Sequence, residues 1–387
     1  MSPETAAVKL YTNSILLLIG GYAIAFTIIS VLINHIIEFF GLFGSEQGLI
    51  ISVINVGSVA AIVSTLFIFR NAKKSTLLVM SGLLSVVAMA FTGLAPSFFI
   101  ILIMCLLLGI SLGWTDPYIN SCISDVDPGN GAKNLGALQG WYGVGAFVTP
   151  FGIQLLLFRN TWQEVYLILT PLVLLTVVIF MFAARAANKR IPAPRVKAVE
   201  FSREELRSFF SNRRNLYTIL AVLTYSFMLL SLFSWTVRYM SVQHGTEALG
   251  IIGVSVMWVS VTISRFAAPH LPVSPLKLHT YGMLIAGAAL AVGVFSDNAI
   301  LMLVMIGVSG LTSGHCLPTL LNETIASNGS GSQLPTSVLL LMTRIPGIVA
   351  PPVLGWIATF SMQGSMLIPI VTVIVSGLLG YAIIRMK

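Results

Sequence analysis

The chain has 387 residues, of which 56% are hydrophobic and 9% are charged, and its formal net charge is +8. A soluble domain carries about 25% charged residues, so this composition excludes an ordinary soluble protein and indicates an integral membrane protein. The three cysteines, Cys105, Cys122 and Cys316, all fall in apolar segments, so no disulfide framework is predicted.

Twelve apolar runs are long enough to span a bilayer. The polar stretch after the sixth run contains FSREELRSFF, which is expected to form a short amphipathic helix at the membrane surface. We therefore predict an all-α membrane protein with two six-helix bundles, residues 1–185 and 215–387, joined by a linker at 186–214. The predicted spans are residues 13–39, 47–69, 76–95, 97–124, 133–158, 164–185, 215–240, 248–268, 279–296, 299–326, 334–358 and 364–385.

The basic residues predict the orientation of these spans. If both termini and the linker are cytoplasmic, all but three of the 21 lysines and arginines lie on the cytoplasmic side. The exceptions are Arg159, Arg238 and Arg344. The basic linker is then a topology determinant and needs no nucleic-acid partner. We expect a multi-pass protein of the cytoplasmic (inner) membrane.

Glycines and prolines indicate an internal repeat. Gly109, Gly113 and Pro117 recur as Gly310, Gly314 and Pro318 at an offset of 201 residues. Further along, Gly145 and Pro150 recur as Gly347 and Pro352 at an offset of 202 residues. Small residues at four-residue spacing allow helices to approach closely, and internal repeats are typical of secondary transporters. The fifth span is expected to break at Pro150 and Gly152.

An acid lies in the middle of the fourth apolar run. Asp116 is followed by Pro117, which favours a bend, and by Asn120, one helical turn further on the same face. A carboxylate at that depth is costly, so an intramembrane acid is by default a functional residue.

Several segments resemble the major facilitator superfamily, and most closely its fucose-permease-like branch of sugar:proton symporters. The quoted segments are GWTDPYIN, LQGWYGVGAFVTPFG, SLFSWTVRYM, GHCLP and PGIVAPPVLG, which are similar to helices four, five, seven, ten and eleven of that branch. The resemblance implies that Asp116 takes part in proton-coupled movement of the substrate. It also implies that Gln139, Tyr142, Trp235 and Tyr239 face the substrate.

The chain departs from that pattern at three places. The first-span segment YAIAFTIISVLIN and the seventh-span segment TYSFMLLSLF lack the acids that members of the branch often carry. The loop FIFRNAKKST keeps only the positive charge of the superfamily's motif between helices two and three. These departures concern the substrate and the coupling ion rather than the fold.

Three more polar residues lie at membrane depth. Arg344 requires a carboxylate, carbonyl groups or an anionic ligand, so it either binds a substrate anion or pairs with Glu323. Glu323 could instead belong to a cytoplasmic gate. His315, beside the Cys-Leu-Pro break, either faces a cavity or is a hydrogen-bonded packing residue. Asn120 and Asp116 complete the set of candidate site residues.

We therefore predict a secondary active transporter for a small polar solute, a sugar or a sugar-like compound, with proton symport through Asp116. The alternatives are an organic-anion carrier that uses Arg344, an exporter of amphiphilic compounds, and a non-transporting receptor or scaffold. The absence of a Walker loop and of HExxH and GxSxG motifs argues against ATP-driven transport and against an enzyme. The expected partners are the solute, protons and the lipid bilayer, for a monomer with no cofactor and no metal.

Overall fold

The computed structural model describes residues 3–65, 72–127, 130–196, 202–328 and 334–386, and these residues are almost entirely helical. A short 3₁₀ turn, Ala268–His270, follows the tenth helix. The helices are α1 Pro3–Val31, α2 Ile33–Phe40, α3 Glu46–Thr65, α4 Lys74–Gly93, α5 Phe98–Val126, α6 Gly131–Leu157, α7 Trp162–Ala187, α8 Arg203–Ser211, α9 Arg213–His244, α10 Glu247–Ala267, α11 Pro275–Phe295, α12 Ala299–Ser313, α13 Cys316–Asn328, α14 Leu334–Met342, α15 Ile345–Ala358, α16 Met362–Ser365 and α17 Leu367–Arg385.

Local sequence accounts for several helix ends. Thr161 and Glu164 form a reciprocal capping box at the start of α7. The side chain of Asn298 accepts from the first backbone N–H groups of α12. The helix α9 ends at Gly245, whose φ of 66° lies in the left-handed region that glycine adopts without a Cβ clash.

Twelve helical segments of the described chain are long and apolar enough to cross a membrane, which confirms the predicted all-α fold class. The first span begins earlier than the predicted residue 13, since α1 is helical from Pro3. It also ends earlier, and a separate helix, α2, follows it. The helix predicted in the linker is α8, which is capped by Ser202 and buries Phe209. The break predicted at Pro150 is wrong: α6 continues to Leu157. One proline removes only one backbone hydrogen bond, and membrane helices tolerate that loss.

The chain divides into two compact units, Met1–Phe40 with Val53–Ala198, and Gly41–Ser52 with Val199–Lys387. In the first unit α1 packs against α6 and α7, and α4 packs against α5 and α7. In the second unit α9 packs against α15 and α17, and α11 packs against α12 and α17. In each unit the first span therefore packs against the fifth and sixth, and the third span packs against the fourth and sixth, as expected for two pseudo-symmetric bundles.

The repeated glycines lie at equivalent close approaches between helices. A Cβ added at Gly109 would overlap the backbone of Ile54 on α3. Its counterpart Gly310 lies against α10, where an added Cβ would come within 2.9 Å of the Cβ of Ser260. In each unit the fourth span therefore approaches the second at a distance that only glycine permits, because real Cβ contacts do not occur so close.

The two units have equivalent helix packing but different polar contacts between their first and fourth spans. In the first unit Tyr11 on α1 accepts a hydrogen bond from the thiol of Cys122 on α5 at 3.7 Å. Between the equivalent spans of the second unit, Arg214 on α9 forms an ion pair with Glu323 on α13. This contact between the first and fourth spans is thus a neutral pair in the first unit, whereas the contact between the equivalent spans of the second unit is an ion pair.

The two equivalent prolines have different consequences. The helix α5 runs without interruption through Pro117, whereas the tenth span breaks into α12 and α13 at Gly314 and His315, one turn before Pro318. Pro318 lacks the N–H that would normally bind the carbonyl of Gly314. Instead, Nε of Arg265 donates to that oxygen at 3.3 Å, so a side chain of α10 satisfies the acceptor at the break.

The start of the linker is bound to the first unit. Lys73 and Arg195 form an isolated antiparallel bridge. The N–H of Lys74 donates to the carbonyl of Pro194, and the N–H of Val196 donates to that of Ala72, both at 2.9 Å. The segment that follows α7 is therefore fixed against the residues that precede α4.

Candidate functional site

The first unit brings Asp116 together with three of its polar neighbours. The hydroxyl of Tyr22 on α1 donates to Oδ1 of Asp116 on α5 at 2.8 Å. The side-chain amide of Asn120 donates to the backbone carbonyl of Asp116 at 2.7 Å. The rings of Tyr22 and Tyr142 lie 5.9 Å apart between centroids. All four side chains are partly exposed, so they lie outside the fully buried interior of the unit.

Buried hydroxyl groups hold the segment that carries Asp116 against α4. The hydroxyl of Ser111 donates to the carbonyl of Ser81 at 2.6 Å, and that of Thr115 donates to Oγ of Ser81 at 3.0 Å. Such interhelical hydrogen bonds are worth about 0.6 kcal/mol each on average in membrane proteins. Together they favour the observed packing of α5 against α4, beside the acid.

Trp235 and Tyr239, which the resemblance assigns to the substrate, are fully buried in the second unit. Nε1 of Trp235 donates to Oγ of Ser365 on α16 at 3.2 Å. The hydroxyl of Tyr239 reaches the carbonyl of Val294 on α11 at 3.5 Å, and its ring packs edge-on against His244. Each residue thus has packing partners within its own unit, and its assignment to the substrate remains a prediction.

His315 lies at the break between α12 and α13 and is almost completely buried. Its backbone N–H donates to Oγ of Ser264 at 3.1 Å, and the same oxygen lies 3.2 Å from its Nδ1. Since the next residue of α10, Arg265, binds the carbonyl of Gly314, two consecutive residues stabilise the break. Its Nε2 is buried without a hydrogen-bond partner among the described residues, so both the cavity-facing and the packing alternatives for His315 remain predictions.

Arg344 also lies at a helix break, between α14 and α15, and its side chain is partly exposed. Its N–H donates to the carbonyl of Leu341 at 3.0 Å, which closes the turn. The carboxylate of Glu323 forms its ion pair with Arg214, near the start of α9. Since Arg214 supplies a partner for Glu323, the proposed pair between Glu323 and Arg344 is not needed to neutralise this acid.

The side chain of Gln139 lies outside the described residues, although its backbone belongs to α6.

Sequence reasoning missed Tyr22, because the search of the first span was for an acid. The available signal was a phenol in the middle of an apolar helix, which needs a hydrogen-bond partner. Within the described part of the chain, no group of three or more His, Cys, Asp or Glu side chains is arranged to hold a metal ion.

Comparison with known sequences defines the family. A sequence profile of the Major Facilitator Superfamily matches residues 15–333. The chain therefore belongs to this superfamily of membrane transporters, and the prediction that it is not an enzyme is confirmed at the level of the family. The match does not select the fucose-permease-like branch. No curated protein sequence matches this chain.

Solved structures show the same fold at low identity. A bacterial homologue of the human lysosomal transporter Spinster, in an inward-facing and occupied conformation, has a TM-score of 0.74 at 16% identity, over 100% of this chain and 98% of that one. The Escherichia coli fucose:proton symporter has a TM-score of 0.64 at 18% identity, over 96% and 98% of the two chains. A nucleoside transporter has a TM-score of 0.73 at 12% identity, over 97% and 99%.

Proposed function

We propose that this protein is a secondary active transporter that moves a small polar solute, a sugar or a sugar-like compound, by alternating access. The protein lies in the cytoplasmic membrane with both termini on the cytoplasmic side, and Asp116 couples transport to protons. The observation that carries it is the contact of Asp116 with the Tyr22 hydroxyl, inside two membrane-spanning helices. An intramembrane carboxyl with a hydroxyl partner can exist with or without its proton, and proton relays use such groups.

The neighbours of Asp116 support a polar solute. Tyr22 and Tyr142 offer aromatic faces with hydroxyl groups, and Asn120 lies one turn from the acid. Hydroxyl and amide groups beside an aromatic face are suited to a ligand that presents hydroxyls on one side and C–H groups on the other. Sugars have this chemistry. We extend the proposed site to Gln139 on α6, which the family resemblance places with Tyr142.

The experiment has two steps. Purified protein is first screened by thermal shift against sugars, sugar acids and carboxylates, because a ligand that binds the native state raises its apparent stability. The compound that stabilises the protein is then used for uptake into proteoliposomes under an imposed pH gradient. Asp116→Asn is expected to abolish gradient-driven accumulation while sparing solute exchange. Undiminished accumulation by the Asn variant would make Asp116 a structural acid and overturn proton coupling through it.

The second candidate, an organic-anion carrier, rests on Arg344. A guanidinium at a helix break in the eleventh span can bind a carboxylate or phosphate with two parallel hydrogen bonds. In that case a carboxylate, rather than a neutral sugar, stabilises the protein in the screen. Arg344→Lys would then weaken anion binding at nearly unchanged stability, since an ammonium group is a point charge rather than a planar fork.

A further inference from the structure

A basic cavity lies between α4 and α7, at the end of the first unit where the linker begins. Its volume is about 400 Å³, and three cations line it: Lys73, Arg185 and Lys189. Lys73 directly precedes the span Lys74–Gly93, and the other two lie at the end of the span Trp162–Ala187. The cavity is therefore at the boundary between the apolar part of the membrane and water.

The cavity lining changes from polar to apolar along the helices. Ser75 and Asn188 line the polar part, and the amide nitrogen of Asn188 donates to Oγ of Ser75 at 3.4 Å. The amide oxygen of Asn188 is buried without a hydrogen-bond partner among the described residues, and as an acceptor it suits a hydroxyl of the headgroup rather than the phosphate. Met80 and Met181 line the apolar part, and Met80 is 46% exposed. A ligand with a charged head and an apolar tail matches this gradient.

The three cations are not neutralised by the lining of the cavity. No acidic side chain is among the described residues that form its wall. The adjacent Lys74 differs, because its ammonium group pairs with Asp125 at 2.7 Å outside the cavity. The linker also fixes the backbone on both sides of Lys73, through the hydrogen bonds of Val196 to Ala72 and of Lys74 to Pro194. With no acid among its described wall residues, this rigid, positively charged site favours an anion.

We propose that this cavity binds the phosphate group of an anionic membrane lipid, with the acyl chains lying along the apolar part of the lining. Arginine and lysine together bind phosphate well, the first through paired hydrogen bonds and the second as a point charge. Basic pockets between transmembrane helices are known lipid headgroup sites. A free phosphate or a soluble phosphate ester has the same headgroup chemistry, and the experiment separates these sources.

The test compares two triple variants of the full-length protein with equal loss of charge. K73Q/R185Q/K189Q removes the cations of the cavity, and R203Q/R207Q/R213Q removes three exposed cations at and beside α8. Binding of phosphatidylglycerol and of zwitterionic phosphatidylcholine is measured by native mass spectrometry from mixed micelles. Each basic residue near an anionic lipid contributes about 1 kcal/mol, or roughly fivefold in affinity. The cavity variant should therefore lose about a hundredfold in phosphatidylglycerol affinity, whereas the α8 variant stays within a few-fold of the wild type.

The outcomes are distinguishable. Equal binding of the two lipids by the wild-type protein, or an equal loss in both variants, would overturn the site, because only general charge attraction would remain. Displacement of phosphatidylglycerol by inorganic phosphate or glycerol 3-phosphate at comparable concentrations would overturn the lipid as the ligand and leave a phosphate site. If the triple variant cannot be purified, R185Q alone should lose about fivefold; unchanged binding would contradict the proposal.

Discussion

The hydroxyl of Tyr22 donates a hydrogen bond to Oδ1 of Asp116 at 2.8 Å, and this contact joins the first membrane span to the fourth. The two residues are 94 positions apart in the chain. The ring of Tyr22 also contacts Tyr142 on the fifth span, so three spans meet at one phenol. A change of protonation at Asp116 would change the strength of its bond to α1, which links the charge of the acid to helix packing.

Tyr22→Phe removes the hydroxyl and keeps the ring contact with Tyr142. A hydrogen bond to a charged group is worth about 1.5–3 kcal/mol, so we expect gradient-driven uptake to fall by roughly tenfold or more. The measurement is uptake into proteoliposomes under an imposed pH gradient. Tyr166→Phe is the control, because the Tyr166 hydroxyl is buried without a hydrogen-bond partner among the described residues. Equal uptake by the two variants would remove Tyr22 from the coupling site.

Alanine at the glycines of the fourth and tenth spans should destabilise both units. In Gly109→Ala the new methyl group meets the backbone of Ile54, and in Gly310→Ala it meets Ser260. Overpacking costs about 1–3 kcal/mol, and we expect a lower melting temperature in both variants. Gly140→Ala is the control, since nothing lies within 4 Å of its added Cβ. That change should be neutral or stabilising by up to about 1 kcal/mol. A control that melts as low as the test variants would contradict the role of helix distance.

Arg265 and Pro318 should be energetically coupled through the carbonyl of Gly314. Arg265→Met leaves that acceptor unpaired, at a cost of about 1–3 kcal/mol. Pro318→Ala restores a backbone N–H in the helical position that can donate to the same oxygen. The loss caused by Arg265→Met should therefore be smaller in the Pro318→Ala background, as measured by a double-mutant cycle of melting temperatures. An equal loss in both backgrounds would show that the arginine stabilises the protein in another way.

Glu323 should couple to Arg214 and not to Arg344. Both members of the ion pair are partly exposed, so solvent screening limits its contribution to about 1 kcal/mol. Arg214→Gln and Glu323→Gln together should cost less than the two single changes added. The cycle of Glu323→Gln with Arg344→Gln should be additive within about 0.5 kcal/mol. A larger coupling in the second cycle would restore the pairing with Arg344 that the sequence allowed.

Hydropathy and repeated glycines predicted the twelve spans and the two equivalent halves, because each depends on local composition or on spacing along one helix. FSREELRSFF was assigned to a helix by its amphipathic pattern, and α8 is found there. Pro150 predicts a break that α6 does not have, since a helix packed against its neighbours loses little with one missing hydrogen bond.

Contacts between distant spans were beyond sequence reasoning. Nothing in the segment around Tyr22 indicates that it reaches Asp116, and Arg265 was counted only as a topology charge. The free carbonyl four residues before Pro318 was a usable signal for a buried donor, although it does not say which helix supplies it. The partner of Glu323 is open from the sequence for the same reason, because several arginines are available and only the fold selects Arg214 among them.

The contrast between Tyr11–Cys122 and Arg214–Glu323 shows that two repeated halves can keep their helix spacing while their polar contacts change. The distance between two closely packed helices can hardly change, since even one added methyl group would overlap the neighbouring helix. The side chains that bridge two helices, in contrast, can be exchanged in pairs. The glycines at the close helix approaches therefore keep the repeat, because they cannot be replaced without moving the helices. The two halves are therefore similar at their glycines and different at their charged residues.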